Sequence, residues 1–327
     1  MLGVKNLNDN YQFVSKLTLG KIANIIKVTS SYFISKLTGK ALIWGVPISL
    51  SIEPTTSCNL RCPECPSGLR SFTRPTGMLD ETIFKKVIDE LSGKLSYLLF
   101  YFQGEPFLHP KFTDLVAYAS SKGLYTATST NAHFLDDARC QSIINAGLDR
   151  LIISIDGIDQ KSYESYRIGG ELEKVIAGTK NIIKWKKELN AKGPHLIFQF
   201  LVVKPNEHQV DAVKKLGAEL GVDEVRLKTA QIYDYESGSD LIPENEKYSR
   251  YKKQDDGTYK IKNEMSNHCW KLWNSSVMTW DGRLVPCCFD KDASHQMGSM
   301  MTDSFRSIWR SKNYFQFRNA VLNSRKT

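Results

Sequence analysis

Residues 53–68 read EPTTSCNLRCPECPSG, and this stretch holds three cysteines within eight residues. Cys58, Cys62 and Cys65 are interrupted by prolines and polar residues, a composition typical of a loop. A structural zinc ion usually takes four protein ligands, and a cluster with a purely structural role takes four thiolates. The stretch therefore predicts a metal-binding loop in which one coordination position has no cysteine.

Six short apolar or β-branched segments alternate with helical patterns downstream of residue 48. Helix-ending glycines close three of the helical patterns, at Gly123, Gly147 and Gly221. Because each parallel strand needs a crossover helix, this alternation predicts an α/β fold. No glycine-rich dinucleotide loop follows the first strand, so a partial (β/α)6 TIM-like barrel is favoured over a doubly wound sheet. The predicted strands are residues 48–53, 96–103, 125–130, 150–156, 196–203 and 223–228.

Four units follow from these patterns. We predict an N-terminal helical segment (1–47), the barrel (48–233), a polar linker (234–264) and a small C-terminal cysteine-containing extension (265–327). In the first unit, an amphipathic pattern around Ile22, Ile25, Ile26 and Phe33 predicts a helix packed against the barrel. The lysines of this segment are also compatible with binding to a membrane surface, which is the alternative role.

Composition excludes several classes of protein. The chain has 327 residues, of which 41% are apolar and 24% charged, as in a globular protein, and no apolar run reaches membrane-spanning length. The net charge of +9 is concentrated at the two ends, with six lysines in residues 1–47 and six basic residues in 304–327. Because the body between them is near neutral, nucleic-acid binding is not expected. Seven cysteines, six of them in two tight groups, favour reduced thiols and a cytoplasmic location.

Zinc is a poor match for the first cysteine group, because the nearest downstream histidine is His109. A cluster held by three thiolates would leave one iron free to bind a substrate or cofactor. Cys58 comes five residues after the first predicted strand, so its loop is expected to lie over the barrel mouth, where such barrels place their chemistry.

The motif CNLRCPEC resembles the C-x3-C-x2-C signature of radical S-adenosylmethionine (SAM) enzymes. The resemblance implies a 4Fe-4S cluster whose open iron chelates the amino and carboxylate groups of SAM. One electron then splits the sulfonium into methionine and a 5′-deoxyadenosyl radical, which abstracts hydrogen from a substrate. It also implies an electron donor such as flavodoxin or ferredoxin.

Further elements of this family follow the next three strands. QGEP (103–106) resembles a Gly-Gly-Glu-Pro element with Gln103 in place of the first glycine, and STNA and SIDG follow strands three and four. An aromatic residue often precedes the third cysteine in the family, where this chain has Glu64. Gln199, Lys204, Asn206 and Lys228 are further polar candidates near strand ends. The residues that the resemblance assigns to SAM binding are Gly104, Glu105, Pro106, Ser129, Asn131, Ser154, Asp156 and Arg167.

The second cysteine group comprises Cys269, Cys287 and Cys288 and resembles the start of a SPASM or twitch extension. An Asp281-Gly282 turn between strand-like runs predicts a hairpin that would bring Cys269 and Cys287 together for an auxiliary iron–sulfur cluster. Relatives continue to a Cys-x2-Cys pair, whereas this chain ends at Thr327. A truncated chain, a substitute ligand such as His268 or His295, an absent cluster and structural zinc all remain open. Cys140 is interpreted as a buried apolar residue.

Two functions are compatible with these patterns. The first is a radical SAM enzyme acting on a peptide, a protein side chain or a small biosynthetic intermediate. The second is a non-catalytic iron–sulfur or zinc protein for electron transfer or assembly, which would leave the polar elements after strands two to four unexplained. Residues 1–47 are too few for a leader-binding domain, which favours a small or separately delivered substrate.

Overall fold

A computed structural model describes residues 4–263 and 266–324, and the side chains of residues 4–6 are outside this description. The predicted boundary at residues 264 and 265 and the chain end at Thr327 lie outside the described residues. The strands are β1 (Ser49–Ile52), β2 (Tyr97–Leu99), β3 (Tyr125–Thr130), β4 (Arg150–Ser154), β5 (His195–Val202), β6 (Glu224–Thr229), β7 (Tyr251–Lys253), β8 (Tyr259–Ile261), β9 (Ser275–Met278), β10 (Arg283–Val285) and β11 (Gly298–Ser299). The α-helices are α1 (Val4–Ser15), α2 (Leu19–Thr38), α3 (Pro66–Leu69), α4 (Glu81–Leu91), α5 (Phe112–Ser121), α6 (Asp137–Asn145), α7 (Gln160–Glu164), α8 (Leu172–Glu188), α9 (Val210–Leu220), α10 (Lys271–Asn274), α11 (Phe305–Trp309) and α12 (Lys312–Ser324).

The six predicted strands are confirmed as one parallel set. β1 to β6 pair with one another in chain order, without the reversal of a doubly wound sheet. β2 is shorter than predicted, ending at Leu99 rather than Gln103. Apolar side chains of the strands and of the surrounding helices are buried between the two layers, as in Leu98, Phe198 and Val87. This arrangement is the partial barrel that the alternating pattern predicts.

The C-terminal strands continue the barrel sheet. β9 pairs parallel with β1, from Ser49 opposite Ser275 to Ile52 opposite Met278. β10 returns antiparallel to β9, so the hairpin predicted around Asp281-Gly282 is confirmed, and Gly282 adopts a φ of 80° in its turn. With β11 at the edge, the sheet has nine strands. The first strand of the barrel is therefore an interior strand of the sheet.

Residues 234–261, most of the predicted linker, contain the separate β7–β8 hairpin. Tyr251 and Ile242 are buried there, and the ring of Tyr251 stacks on Tyr235 with 4.6 Å between centroids. The few apolar residues in this polar segment thus form a small cluster of their own with residues of the cysteine loop, including Leu60.

The amino-terminal ends of the strands are covered by α1 and α2. Asp9 of α1 accepts hydrogen bonds from the Tyr125 hydroxyl and the Arg150 guanidinium, at the starts of β3 and β4. Tyr97 stacks on Tyr125 with 5.3 Å between ring centroids. A buried polar cluster therefore closes the barrel at the end opposite to the carboxyl ends of its strands.

The amphipathic pattern predicts that the apolar face of α2 packs against the barrel, and this orientation is wrong. The helix does contact the barrel, but Ile22, Ile26 and Phe33 are exposed, and the buried residues are mostly polar, including Lys21 and Asn24. The physical reason is that the strand ends below α2 present backbone carbonyls, which require hydrogen-bond donors rather than apolar side chains. Within the described residues, no helix is long and apolar enough to cross a bilayer.

Candidate functional site

The first cysteine group lies at the carboxyl ends of the barrel strands. Its loop follows β1 and continues into the short helix α3. Cys58, Cys62 and Cys65 all line one cavity of about 220 Å³. Cys62 is buried and the other two are partly buried, so the loop directs its sulfur atoms inward rather than to solvent. The loop placement predicted from sequence therefore matches the structure.

Gly104 fixes the second loop of the site against the cysteine loop. Its φ is 74°, and a β-carbon there would come within 2.1 Å of the Thr55 carbonyl oxygen. The Gly104 amide donates to the Ser67 hydroxyl at 2.9 Å, and the Glu105 amide donates to the Ser57 carbonyl at 2.8 Å. A side chain at position 104 would separate the two loops, which explains why glycine is required.

The Glu105 carboxylate is completely buried and held by the following strand. Its Oε1 accepts a hydrogen bond from the Thr130 hydroxyl at 2.7 Å, and its Oε2 accepts one from the backbone N–H of Asn131 at 2.8 Å. Burial raises the pKa of Glu105 to about 7, although the hydrogen bonds from Asn131 and Thr130 oppose this shift. A cationic group beside this carboxylate would restore its ionised form.

Arg167 reaches the cavity from the turn after α7. Its Nε donates to Oδ2 of Asp156 at 2.5 Å, and its Nη1 lies 3.7 Å from the Cys62 sulfur. The other oxygen of Asp156 accepts from the Leu201 amide at 2.7 Å. Asp156 itself does not line the cavity, so its observed contact is with Arg167 and the β5 backbone.

The structure brings together most of the residues predicted to bind SAM. Pro106 is the other exception besides Asp156, because it is buried at the start of a 3₁₀ turn, Pro106–Leu108. Of the further polar candidates, Gln199 lines the cavity, whereas Asn206 is buried and donates to the Asp156 and Leu201 carbonyls. The predicted residues that line the cavity with the cysteines are Gly104, Glu105, Ser129, Asn131, Ser154 and Arg167.

Tyr101, Thr130 and Tyr166 also line the cavity, and sequence reasoning did not assign them to the site. Thr130 lies within the STNA motif and Tyr166 directly precedes Arg167, so their position next to assigned residues is an available signal. Tyr101 follows β2 in an aromatic run that also supplies core residues such as Phe100. The sequence spacing of Tyr101 does not distinguish it from these core aromatic residues.

Several N–H groups approach the cysteine sulfurs. The Leu60 amide lies 3.5 Å from the Cys58 sulfur, and the Asn131 side-chain nitrogen lies 4.0 Å from it. The Cys65 sulfur is 3.7 Å from the Gln103 side-chain oxygen. The two N–H groups would stabilise cluster thiolates and adjust the reduction potential of a cluster, whereas the Gln103 oxygen accepts from the Cys65 thiol and would not.

The chemistry of the donor set fits an iron–sulfur cluster. Burial raises the pKa of the Cys58 thiol to about 12, so Cys58 becomes a thiolate when metal displaces its proton. Among residues 4–263 and 266–324, no three His, Cys, Asp or Glu side chains converge on one metal position. A single zinc ion would hold its sulfurs within about 4 Å of one another. Thiolates are the usual protein ligands of iron–sulfur clusters, and three cysteines line this one cavity, so the first group is compatible with a cluster.

The second cysteine group is divided by the structure. Cys269 and Cys287 both line a larger cavity of about 530 Å³, whereas Cys288 is exposed and does not line it. His295 lines the same cavity, while the His268 carbonyl oxygen accepts a hydrogen bond from the Tyr32 hydroxyl at 3.0 Å. The cavity wall is largely aromatic and aliphatic, with Tyr233, Tyr235, Tyr251, Phe289 and Phe317.

A buried ion pair links the cysteine loop to the C-terminal extension. Arg74 binds both oxygens of the Glu53 carboxylate, at 2.9 and 2.6 Å, and its Nε donates to the Lys291 carbonyl at 2.7 Å. The Trp280 amide donates to the same carboxylate at 3.2 Å. Burial raises the pKa of Glu53, and the contacts with Arg74 oppose that shift. Glu53, which directly follows β1, is thus a junction between the loop and the extension.

We expect Arg74→Met to lower the free energy of unfolding by about 3–5 kcal/mol, because it leaves the Glu53 carboxylate buried without its partner. The double variant with Glu53→Gln should recover much of this loss, since no charge then remains buried. Urea denaturation of the cluster-free protein measures both. Arg139→Met, which breaks an exposed ion pair with Asp136, is the matched control and should have little effect. Equal losses in Arg74→Met and Arg139→Met would contradict the prediction.

Comparisons with known proteins agree with this geometry. The family model of the radical SAM superfamily matches residues 52–208, and that of an iron–sulfur cluster-binding domain, SPASM, matches residues 269–327. The chain is 27% identical over 306 residues to a tungsten-containing aldehyde ferredoxin oxidoreductase cofactor-modifying protein of Pyrococcus furiosus, covering 84% of each. It is also 27% identical over 210 residues to the PqqA peptide cyclase of Bradyrhizobium diazoefficiens, covering 62% of this chain and about half (51%) of that relative.

Solved structures show the same fold. Streptococcus suis SuiB bound to S-adenosylmethionine superposes with a TM-score of 0.63 at 12% identity, covering 84% of this chain and 68% of SuiB. The anSMEcpe structure with bound AdoMet gives a TM-score of 0.62 at 16% identity, covering 85% of this chain and 81% of that one. These likenesses show the fold alone. The two family models, which match the barrel and the extension, show that the chain is an enzyme of the radical SAM superfamily with a SPASM-type extension, and that SAM and iron–sulfur clusters are its cofactors.

Proposed function

We propose that Cys58, Cys62 and Cys65 hold a 4Fe-4S cluster and that SAM binds beside it in the 220 Å³ cavity. The chemistry that such a cluster would supply is the one-electron cleavage of SAM to methionine and a 5′-deoxyadenosyl radical, which would take a hydrogen atom from the substrate. The observation that carries this proposal is the meeting of three inward-facing cysteines with Glu105, Asn131 and Arg167 around one cavity. A zinc or electron-transfer protein would have no use for these polar groups.

The residues of the cavity divide the binding of SAM among them. The Glu105 carboxylate would accept from the ammonium group of the methionine moiety, since it is the buried acid that faces the cavity. Arg167, fixed by Asp156, would pair with the methionine carboxylate and shield the Cys62 sulfur. Ser129, Asn131 and Ser154 would bind further polar groups of the cofactor, including the ribose hydroxyls. The backbone around Gly104 and Pro106 keeps the two loops in register for this.

The auxiliary cluster would be held by Cys269 and Cys287 in the 530 Å³ cavity. The sequence also offers Cys288 as a third ligand, and its exposure outside this cavity argues against that role. His295 lines the cavity and is the better placed of the two histidine candidates. We propose that reduced flavodoxin or ferredoxin supplies the electrons, and that the enzyme works in the cytoplasm, where its seven cysteines, which form no disulfide, stay reduced.

Peptides and small molecules are the substrates of this superfamily, and the particular substrate here is a further proposal. The relative from Pyrococcus furiosus that matches most of this chain is named as a cofactor-modifying protein. The cavity beside the extension is lined by tyrosines and phenylalanines and offers few charged groups, Arg250 and Asp290 among them. We therefore infer a small biosynthetic intermediate or a peptide side chain with an apolar or aromatic portion.

Anaerobic reconstitution with iron and sulfide tests the proposed reaction. The reconstituted protein, given SAM and dithionite, is expected to release 5′-deoxyadenosine and methionine, measured by liquid chromatography and mass spectrometry. Samples without dithionite or without reconstitution should release neither. A protein that binds iron and sulfide but never yields 5′-deoxyadenosine would favour the non-catalytic alternative.

A further inference from the structure

Each of the two N-terminal helices has an apolar side that no part of the described chain covers. On α2, the exposed residues are spaced by three, four, seven and four positions, which places them on one side of the helix. On α1, the exposed residues are spaced by four and three positions and likewise share a side. We call this set the apolar stripe. Its members are Leu7, Tyr11, Val14, Leu19, Ile22, Ile26, Phe33 and Leu37.

The opposite side of α2 is polar and fixed to the barrel. The Lys21 ammonium donates to the Gly123 carbonyl at 2.6 Å, and the Asn24 amide donates to the carbonyls of Val46 and Lys94 at 3.0 and 3.2 Å. Lys16, in the turn between the helices, binds Asp149. Rotating the helix to bury the stripe would leave these groups without partners. The outward orientation of the stripe is therefore enforced by buried hydrogen bonds.

Basic residues border the stripe. No acidic residue occurs between residues 10 and 52. Lys27 and Lys36 are exposed and fall on its two sides, since each lies about 80–100° around the helix from its centre. Lys94 is a neighbour of Lys27, and burial lowers the pKa of Lys94. The positive charges of Arg306 and Arg310 lower that pKa further, so these arginines also lie near this side of the stripe. The carboxylate of Glu90, on α4, is nearby but accepts hydrogen bonds from the backbone N–H groups of Phe305 and Arg306.

We propose that the apolar stripe lies in the headgroup region of an anionic phospholipid bilayer, with α1 and α2 parallel to the membrane plane. An apolar face bordered by lysines is the composition of helices that bind membrane surfaces, and anionic lipids complement the positive border. A second copy of the chain is a less suitable occupant, because a symmetric contact through the stripe brings the same lysines together. The helices lie on the bilayer, and they do not span it.

The attachment would orient the catalytic site away from the lipid. α1 and α2 cover the amino-terminal ends of β3 and β4 through Asp9, Tyr125 and Arg150, whereas the cysteine cavity lies at the carboxyl ends of the strands. Bilayer and cavity are therefore on opposite ends of the barrel. Binding to lipid leaves the cavity open to substrate and electron donor, so it does not depend on the proposed reaction.

Vesicle flotation of the full chain tests the proposal. Vesicles of phosphatidylcholine containing phosphatidylglycerol should carry the protein upward, vesicles of phosphatidylcholine alone much less, and added salt should weaken the binding. The variant Ile26→Ser/Phe33→Ser should lose affinity about tenfold or more, because both side chains leave the lipid. The variant Lys27→Gln/Lys36→Gln should lose the preference for phosphatidylglycerol and keep its residual binding to phosphatidylcholine.

Matched controls lie elsewhere on the surface. Met301→Ser removes an exposed apolar side chain and Lys215→Gln an exposed lysine, both outside the stripe, and both should bind like the unaltered chain. Circular dichroism shows whether each variant is folded. The proposal is overturned if the unaltered chain does not float with anionic vesicles, or if the stripe and control variants bind equally. It is also overturned if sedimentation shows a dimer that the stripe substitutions dissociate, since the stripe is then a contact between copies.

Discussion

Cys62→Ala is expected to abolish the cleavage of SAM and to remove most of the iron bound at the first site. Cys62 is the most buried of the three cysteines, and among the described residues no cysteine beyond Cys58, Cys62 and Cys65 lines the 220 Å³ cavity to replace it. A cluster with two thiolates has lost a ligand to iron and is not expected to survive reconstitution. Iron and sulfide analysis, the absorption spectrum of the cluster and the yield of 5′-deoxyadenosine measure the effect.

Cys140→Ala is the matched control for this substitution. Cys140 is also a buried cysteine, but it lies on α6 in the apolar core, where no other cysteine approaches it among the described residues. The control should keep its iron content and its 5′-deoxyadenosine yield within the error of the assay. A Cys62→Ala protein that still produced 5′-deoxyadenosine at the unaltered rate would contradict the assignment of the cluster to this loop.

Glu105→Gln is expected to weaken SAM binding by about ten- to a hundredfold, while the cluster still forms. The substitution keeps the size of the side chain and removes the charge that would accept the ammonium group, and a hydrogen bond to a charged group contributes about 1.5–3 kcal/mol. Anaerobic calorimetric titration of SAM into the reconstituted protein measures the dissociation constant.

The hydrogen bonds of Glu105 to Thr130 and Asn131 make a purely structural role the competing explanation. The temperature of unfolding and the cluster spectrum of the variant separate the two roles. Glu81→Gln, which alters an exposed carboxylate paired with Lys85 and Lys111, should leave SAM affinity unchanged. A Glu105→Gln protein with lower stability but unaltered affinity for SAM would show that Glu105 supports the loop and does not bind the cofactor.

The barrel was predictable because its signals are local. The alternation of strands and helices, and glycines such as Gly123 and Gly221, are properties of neighbouring residues, and the structure reproduces them. The cysteine spacing and its position after β1 likewise placed the site at the correct end of the sheet. Residues carried over from the family motif mostly meet in one cavity for the same reason, since each motif directly follows a strand.

The remainder depends on contacts that sequence patterns do not encode. Amphipathicity of α2 indicates two different faces, but the carbonyls around Gly123 and Val46 decide which one is buried. Asp156 was assigned to the cofactor, yet its contacts with Arg167 and Leu201 place it behind the cavity wall. The pairing of β9 with β1 joins residues more than two hundred positions apart, and no local spacing predicts it.

That pairing has a mechanical consequence for the two cysteine groups. Cys58 follows β1, while Cys269 and Cys287 lie before and after the β9–β10 hairpin, so all three are anchored to adjoining strands of one sheet. Hydrogen-bonded strands do not slide or hinge without breaking their ladder. An electron that tunnels between clusters held at these loops would therefore cross a constant gap throughout turnover.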